Sequence, residues 1–415
     1  MARSSAVRKL APANRNRPAS TPPLPTAKPE SVGLSSQRFR ILTDAINRCI
    51  DQGTLPGAVM MVARRGKVAF FEALGRQDPA TTAPMARDSI FRIMSMTKPI
   101  VSIGLMMLVE DGRLVLGDPV SKFIPEFRDQ RVGVERDGKL HLVPLTREVT
   151  VQDLMRHTSG IVYGVGFGNS LVHRAYAQAD LYSREMTLAE LAARTAALPL
   201  ACQPGTQFNY SFSTDIVGRI IEIVSKQKLS TFLVERILAP LQMTETAFYA
   251  TEGQRHRLAQ PFPVDPWTKA PVKLYDMLEQ PAMESGGGGL VSTATDYSRF
   301  CQMLLNGGSL NGHRIIGKKT LQFMASDHLG PDVRIVTPVI APGASFGLGF
   351  GVRMQTGMAP APGTVGQFQW AGVAGTTFWI DPAENMFAIF LSQAPGQMQT
   401  MAPTFRNLVH AAIDG

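Results

Sequence analysis

The sequence predicts an α/β fold joined to an all-α region. An antiparallel sheet flanked by helices is built from both ends of the chain, and a helical domain is inserted between them. Three observations predict this. Near the start, GAVMMVARRGKVAFFEALG places two apolar segments on either side of Arg65-Gly66-Lys67, the pattern of a β-hairpin. Near the end, FGLGFGVRM, GQFQWAGV, TTFWID and MFAIFLSQ are short apolar runs separated by turn residues. From about 95 to 284 the apolar periodicity is helical, with long Pro- and Gly-punctuated connections. Consecutive antiparallel strands at both ends imply one sheet assembled from both. The expected organisation is a disordered, basic, Pro-rich tail over 1–29 and a first part of the α/β domain over 30–94. A helical domain follows over 95–284, and the second part of the α/β domain over 285–415.

The elements follow in order. Residues 1–28 carry six basic side chains (Arg3, Arg8, Lys9, Arg15, Arg17, Lys28) and no acid. Such a segment reads as a disordered lead-in or as a transit peptide, but it has no apolar core like that of a secretory signal. Residues 36–51 put Phe39, Leu42, Ala45, Ile46, Cys49 and Ile50 on one helical face, and Gly53 follows as a stop. After the hairpin, residues 95–112 read as a helix ending at Gly112, and further helices are expected over 188–198, 213–227 and 229–239. The Gly286–Gly289 run precedes a helix capped by Thr293 or Thr295, with Gly307-Gly308 after it. Phe405, Leu408, Val409 and Ile413 mark a closing amphipathic helix.

Composition narrows the function. A chain of 415 residues buries a large core without staples, and three cysteines far apart form no disulfide framework. The seven histidines are scattered, with neither HExxH nor CxxC, so no metal is expected, and no cofactor. Removing the tail leaves 36 basic against 33 acidic residues, which does not suggest a nucleic-acid surface on the folded body. The longest apolar stretch, Ile100 to Val109, falls short of the ~20 residues of a membrane span. The expected partner is a small-molecule substrate and the expected location cytoplasmic, since no secretory signal is recognised. The oligomeric state is not legible.

Chemistry can be argued from Ser95-Met96-Thr97-Lys98. If Ser95 begins a helix, positions i and i+3 share a face and the Lys98 amine reaches the Ser95 hydroxyl. A serine needs a neighbouring base to become a nucleophile, and a buried lysine serves because desolvation lowers its pKa from ~10.4. The bland alternative is an N-cap serine beside an exposed lysine. Ser225-Lys226-Gln227-Lys228 matches the same pattern at the basic end of a helix, where lysine is usually solvated. Gly343-Ala344-Ser345-Phe346-Gly347 matches the nucleophile elbow of another hydrolase class. That motif requires a strand-to-helix turn, whereas Ser345 leads into a strand. His157, in His157-Thr158-Ser159-Gly160, reads as structural, and Tyr163 and Phe167 just beyond it read as pocket or core.

In sequence order PESVGLS, FRIMSMTK, DLMRHTSG, PGTQFNYS, GGGGLVSTATDYSRF and GTTFWIDP resemble segments of the serine β-lactamase and penicillin-recognising superfamily. The resemblance covers nearly the whole chain from Pro29 and is closest to class C β-lactamase-related proteins and family VIII carboxylesterases. It implies the β-lactamase/transpeptidase-like fold, with Ser95 as acylated nucleophile and Lys98 as its proton-accepting partner. Tyr210 stands at the family's Y-x-N tyrosine, and the choice of base between Lys98 and Tyr210 stays open. The N–H groups of Ser95 and Val373 would form the oxyanion hole. Trp370-Ala371-Gly372 falls where lactamases carry Lys-Thr-Gly, and Phe212 where they carry Asn. Trp370, Gly372, Phe212 and Tyr163 are thus the expected substrate-binding residues. Without a cation at 370 or an amide at 212, both positions are apolar and suit a small neutral ester better than a β-lactam. The expected function is a serine carboxylesterase working through an acyl-enzyme. The alternatives are a β-lactamase, a D-amino-acid peptidase, an acyltransferase of the same fold, or a non-catalytic penicillin-binding-like module.

Overall fold

The computed structural model describes residues 24–164 and 166–414, so most of the expected tail lies outside the described residues. Helix α1 (Ser36–Asp51) starts where the Ser35 hydroxyl accepts from the Arg38 amide, and it buries Phe39, Leu42 and Ile46. Strand β1 (Gly57–Arg64) is buried along its whole length, and its sequence is correspondingly a continuous apolar run. Arg65 and Gly66 both take positive φ (54° and 73°), the two-residue turn whose twist suits a hairpin, and β2 (Lys67–Gly75) returns alongside. Residues 24–28, assigned by sequence to the tail, run beside β2: Ala27 N–H donates to Val68 O, and Val68 N–H to Pro25 O.

Five strands from the C-terminal part complete the sheet: β3 (Ala344–Phe346), β4 (Gly351–Arg353), β5 (Phe368–Gly372), β6 (Thr376–Asp381) and β7 (Met386–Leu391). Among the described residues they form a seven-stranded antiparallel sheet in the order β3-β4-β5-β6-β7-β1-β2. The ends of the chain meet at β1 and β7, with Met61 opposite Ile389. One expected strand is a hairpin instead. FGLGFGVRM folds back on itself, pairing Phe346 with Gly351 around Gly349 at φ 92°.

Side-chain alternation splits the sheet into two faces. Ala58, Met60, Val62 and Trp379 pack beneath α1 and the terminal helix α5 (Met398–His410). Val59, Met61, Phe378 and Ile389 face α2 (Thr97–Glu110), α3 (Ser213–Ser225) and α4 (Ala294–Leu305) in the main core. Thr293, not Thr295, caps α4, accepting from the Asp296 amide.

The inserted region is not wholly helical. Arg131–Arg136 and Lys139–Pro144 form a hairpin turned by Asp137-Gly138, both at positive φ. The expected helix over 229–239 is one α-helical turn, Leu229–Leu233, running into a π-helical turn, Val234–Leu238. No helix among the described residues is long and apolar enough to cross a membrane.

Candidate active site

Ser95 sits in a 3-10 turn, Met94–Met96, and α2 proper begins two residues later than the serine. The turn is held from outside. Tyr297 donates its hydroxyl to Met96 O (3.0 Å), and Thr97 Oγ1 accepts from the Leu290 amide (3.1 Å). Met94, just before the serine, takes φ 46°, a left-handed conformation that costs an L-residue about 1–2 kcal/mol. The result presents Ser95 at a cavity wall while Lys98, one turn on, is fully buried behind it.

Lys98 Nζ lies 3.1 Å from Ser95 Oγ, 2.9 Å from Tyr163 Oη and 2.6 Å from Gly287 O. Burial lowers its pKa from 10.5 to about 7, against a smaller opposing pull from Asp215. A neutral amine has two N–H donors and one lone pair. The Gly287 carbonyl can only accept and takes one N–H; with the other on the Tyr163 hydroxyl, the lone pair of the neutral amine would face Ser95. Asp215 is itself engaged by Ser285 Oγ (2.5 Å) and the Gly287 amide (3.0 Å), and burial raises its pKa.

Tyr210 approaches the same serine from the irregular segment just before α3, where its amide donates to Thr337 Oγ1 (3.2 Å). Its hydroxyl is hydrogen-bonded with Ser95 and accepts from Trp370 Nε1 at 3.1 Å, while burial pushes its pKa up. Lys98 Nζ stands over the Tyr210 ring, 4.5 Å from its centroid. Two groups with similar reference values are therefore driven apart, the lysine toward neutrality and the tyrosine toward the phenol.

These groups open on a cavity of about 1130 Å³. Phe212 forms part of its wall and packs edge-on against Tyr163 at 4.6 Å. Val373 directly follows β5 and lines the cavity with Ser95. Trp370 does not act only as an apolar surface, because its indole N–H is spent on Tyr210. Gly372 is not among the residues that line the cavity, and a β-carbon there would collide with the Ile93 carbonyl and Thr376 Oγ1.

The other sequence candidates are elsewhere engaged. His157 is buried behind Tyr210, ring centroids 4.8 Å apart, with Nδ1 3.1 Å from Ser211 Oγ and a pKa driven down by burial. Ser345 lies within β3 and donates to Asp327, and Ser225 accepts from the Gln227 amide at the end of α3. Two residues of the site escape the sequence reading, Asp215 and Gly287. The signal for Gly287 was the Gly286–Gly289 run, since a side chain there would collide with the Asp215 carboxylate. Asp215 gave none, as an acid in the first turn of a helix is ordinary.

The β-lactamase family matches residues 42–413. The protein Rv1367c of Mycobacterium tuberculosis is 34% identical over 360 residues, 84% of this chain and 88% of its own. Esterase EstB of Burkholderia gladioli is 28% identical over 409 residues, 92% of this chain and 98% of its own. The solved structure of EstCE1, described as a hydrolase with promiscuous acyltransferase activity, superposes with a TM-score of 0.73 at 23% identity, covering 91% of this chain and 98% of that one. With a family match across nearly its whole length and the fold shared with that structure, the chain belongs to the β-lactamase family.

Proposed function

We propose that the protein is a serine carboxylesterase acting on esters whose groups beside the scissile bond are neutral, through an acyl-enzyme on Ser95. The observation that carries this reading is the 3.1 Å contact between Ser95 Oγ and a fully buried Lys98 whose pKa falls to about 7. Ser95 Oγ attacks the ester carbonyl as its proton passes to the Lys98 lone pair. The developing oxyanion faces the N–H groups of Ser95 and Val373. Collapse breaks the bond to the alcohol, which takes the proton back from the Lys98 ammonium, directly or through the Tyr210 phenol. Water then attacks the acyl group, giving its proton to Lys98, and Ser95 Oγ recovers a proton as the acid leaves. Similarity to EstB, an esterase by name, supports the same reading.

Trp370 and Phe212 favour an ester over a β-lactam because neither supplies a cation or an amide beside the reacting carbonyl. Reaction with a fluorophosphonate probe, followed by mass spectrometry of the labelled peptide, tests the nucleophile: the adduct is expected on Ser95, and an adduct on Ser345 would overturn the assignment. A p-nitrophenyl ester panel from acetate to decanoate then measures the activity itself.

A further inference from the structure

The cavity does not end at Ser95. Side chains alternate along β5, so Trp370 faces Tyr210 while Gln369 faces α5, where it accepts from Arg406. Gln369, Ala371 and Thr377 nevertheless line the same space as Ser95, together with Ala402 and Arg406 of α5. The space therefore rounds the end of β5 at Ala371–Val373 and continues as a groove on the opposite face of the sheet.

Two guanidiniums line this groove. Arg406 is 8% exposed and stacked 4.6 Å above the Trp379 ring, and its hydrogen bonds go to the neutral side chains of Gln367 (2.5 Å) and Gln369. Arg353 donates to the backbone carbonyls of Thr356, Ala361 (2.9 Å) and Pro362 (3.2 Å). Each guanidinium has five N–H donors, so these bonds leave donors spare on both. Asp381 attracts the pair only from a distance, its oxygens accepting from Thr364 and Gln367. Burial weakens the hold of both groups on their protons, and for Arg406 the nearby Arg353 adds to this. Two buried like charges with only neutral hydrogen-bond partners are costly, and in a low-dielectric cleft they focus a positive potential. The cavity's acid, Asp215, lies on the other side, bonded to Ser285 and Gly287.

We propose that this outer groove is a second substrate subsite, and that the ester cleaved at Ser95 carries a carboxylate at the far end of an apolar arm, held by Arg353 and Arg406. The inference rests on the esterase reading and adds the substrate class to it. The neutral surroundings of the scissile bond are unaffected, because the charge is met on the other face of the sheet.

The test compares matched esters with and without a terminal carboxylate. One series is p-nitrophenyl alkanoates against their ω-carboxy counterparts, from six to twelve carbons. The other is butyrate esters of alkanols against those of ω-hydroxy acids. Charge-assisted hydrogen bonds of about 1.5–3 kcal/mol predict a preference for the charged member of about tenfold or more in kcat/KM once the arm is long enough. Arg353→Met should bring that ratio toward one. A neutral preference at every length in both series would overturn the subsite while leaving the esterase standing. Inactivity on all of them would instead sink the esterase reading. Calorimetric binding of 10-oxoundecanoate against 2-undecanone then judges the groove alone: tighter binding of the carboxylate, lost in Arg353→Met, upholds it, and equal binding refutes it.

Discussion

Lys98 is the residue on which the proposed chemistry turns, and its burial has two measurable consequences. As proton acceptor it must be neutral, so kcat/KM should rise with pH through an acid limb near 7, far below the ~10.4 of a free lysine. A limb above pH 9 would contradict the assignment. The second consequence is for stability. The folded-state pKa lies below the unfolded one, so between about 7 and 10.5 the unfolded chain binds the extra proton. Stability therefore rises with pH across that window, and Lys98→Met should flatten the rise in denaturant titrations at pH 7 and pH 10. On the proposed mechanism Lys98 and Tyr210 act as a unit. Lys98→Ala and Tyr210→Phe are each expected to cost on the order of 10³-fold or more in kcat, with the double variant scarcely worse. Ser225→Ala and Ser345→Ala should keep activity, and retention of most activity by Tyr210→Phe would refute the proposed triad.

At the scale of elements, the site is a junction of the Ser95 turn, the end of β5 and the Gly286–Gly289 run, tied by Lys98 to the Gly287 carbonyl and by Thr376 to the Ile93 carbonyl. Two glycines there have no room for a side chain. A methyl at Gly372 would strike the Ile93 carbonyl, and one at Gly287 the Asp215 carboxylate. Gly372→Ala should lower stability by about 1–3 kcal/mol and also reduce kcat, because β5 must move away from Ser95 to make room. Thermal melts and steady-state rates on the same preparation check both, and a wild-type kcat would show that β5 does not position the site. Much at this scale was legible. The hairpin around Arg65-Gly66, the Ser95–Lys98 spacing and the terminal strands follow from turn chemistry and periodicity. The Arg131–Pro144 hairpin was missed although Asp137-Gly138 and the alternation of Val132, Val134, Leu140 and Leu142 signal it, because its strands are short, largely exposed and set among helical segments. FGLGFGVRM read as one strand because its turn is built from Gly and Phe, with none of the usual polar turn residues.

Across the whole molecule, the proposed specificity follows from what the walls of the cavity supply. Neutral esters should be cleaved far faster than nitrocefin or benzylpenicillin, whose carboxylates lie beside the reacting carbonyl, where Trp370 stands with its N–H already engaged by Tyr210. Comparable kcat/KM on a penicillin would defeat that expectation. The sequence revealed the residue types at this wall but not the continuity of the cavity past β5. Arg353 and Arg406 are 53 positions apart, and only the sheet brings them together.

The meeting of β1 and β7 also bears on how the chain is made. Arg64 ends β1 and pairs with Glu384, 320 residues later. At 5–20 residues per second, the strand GAVMMVAR waits roughly 15–60 s on the ribosome before its neighbour is synthesised. During that interval a strand apolar from Gly57 to Ala63 is covered on one edge only, by β2, and its open edge is a template for association with other nascent chains. Recovery of native protein from cells should therefore depend on translation speed and on holding chaperones more than the finished fold would suggest, and a circular permutant that synthesises β7 immediately before α1 should ease that dependence.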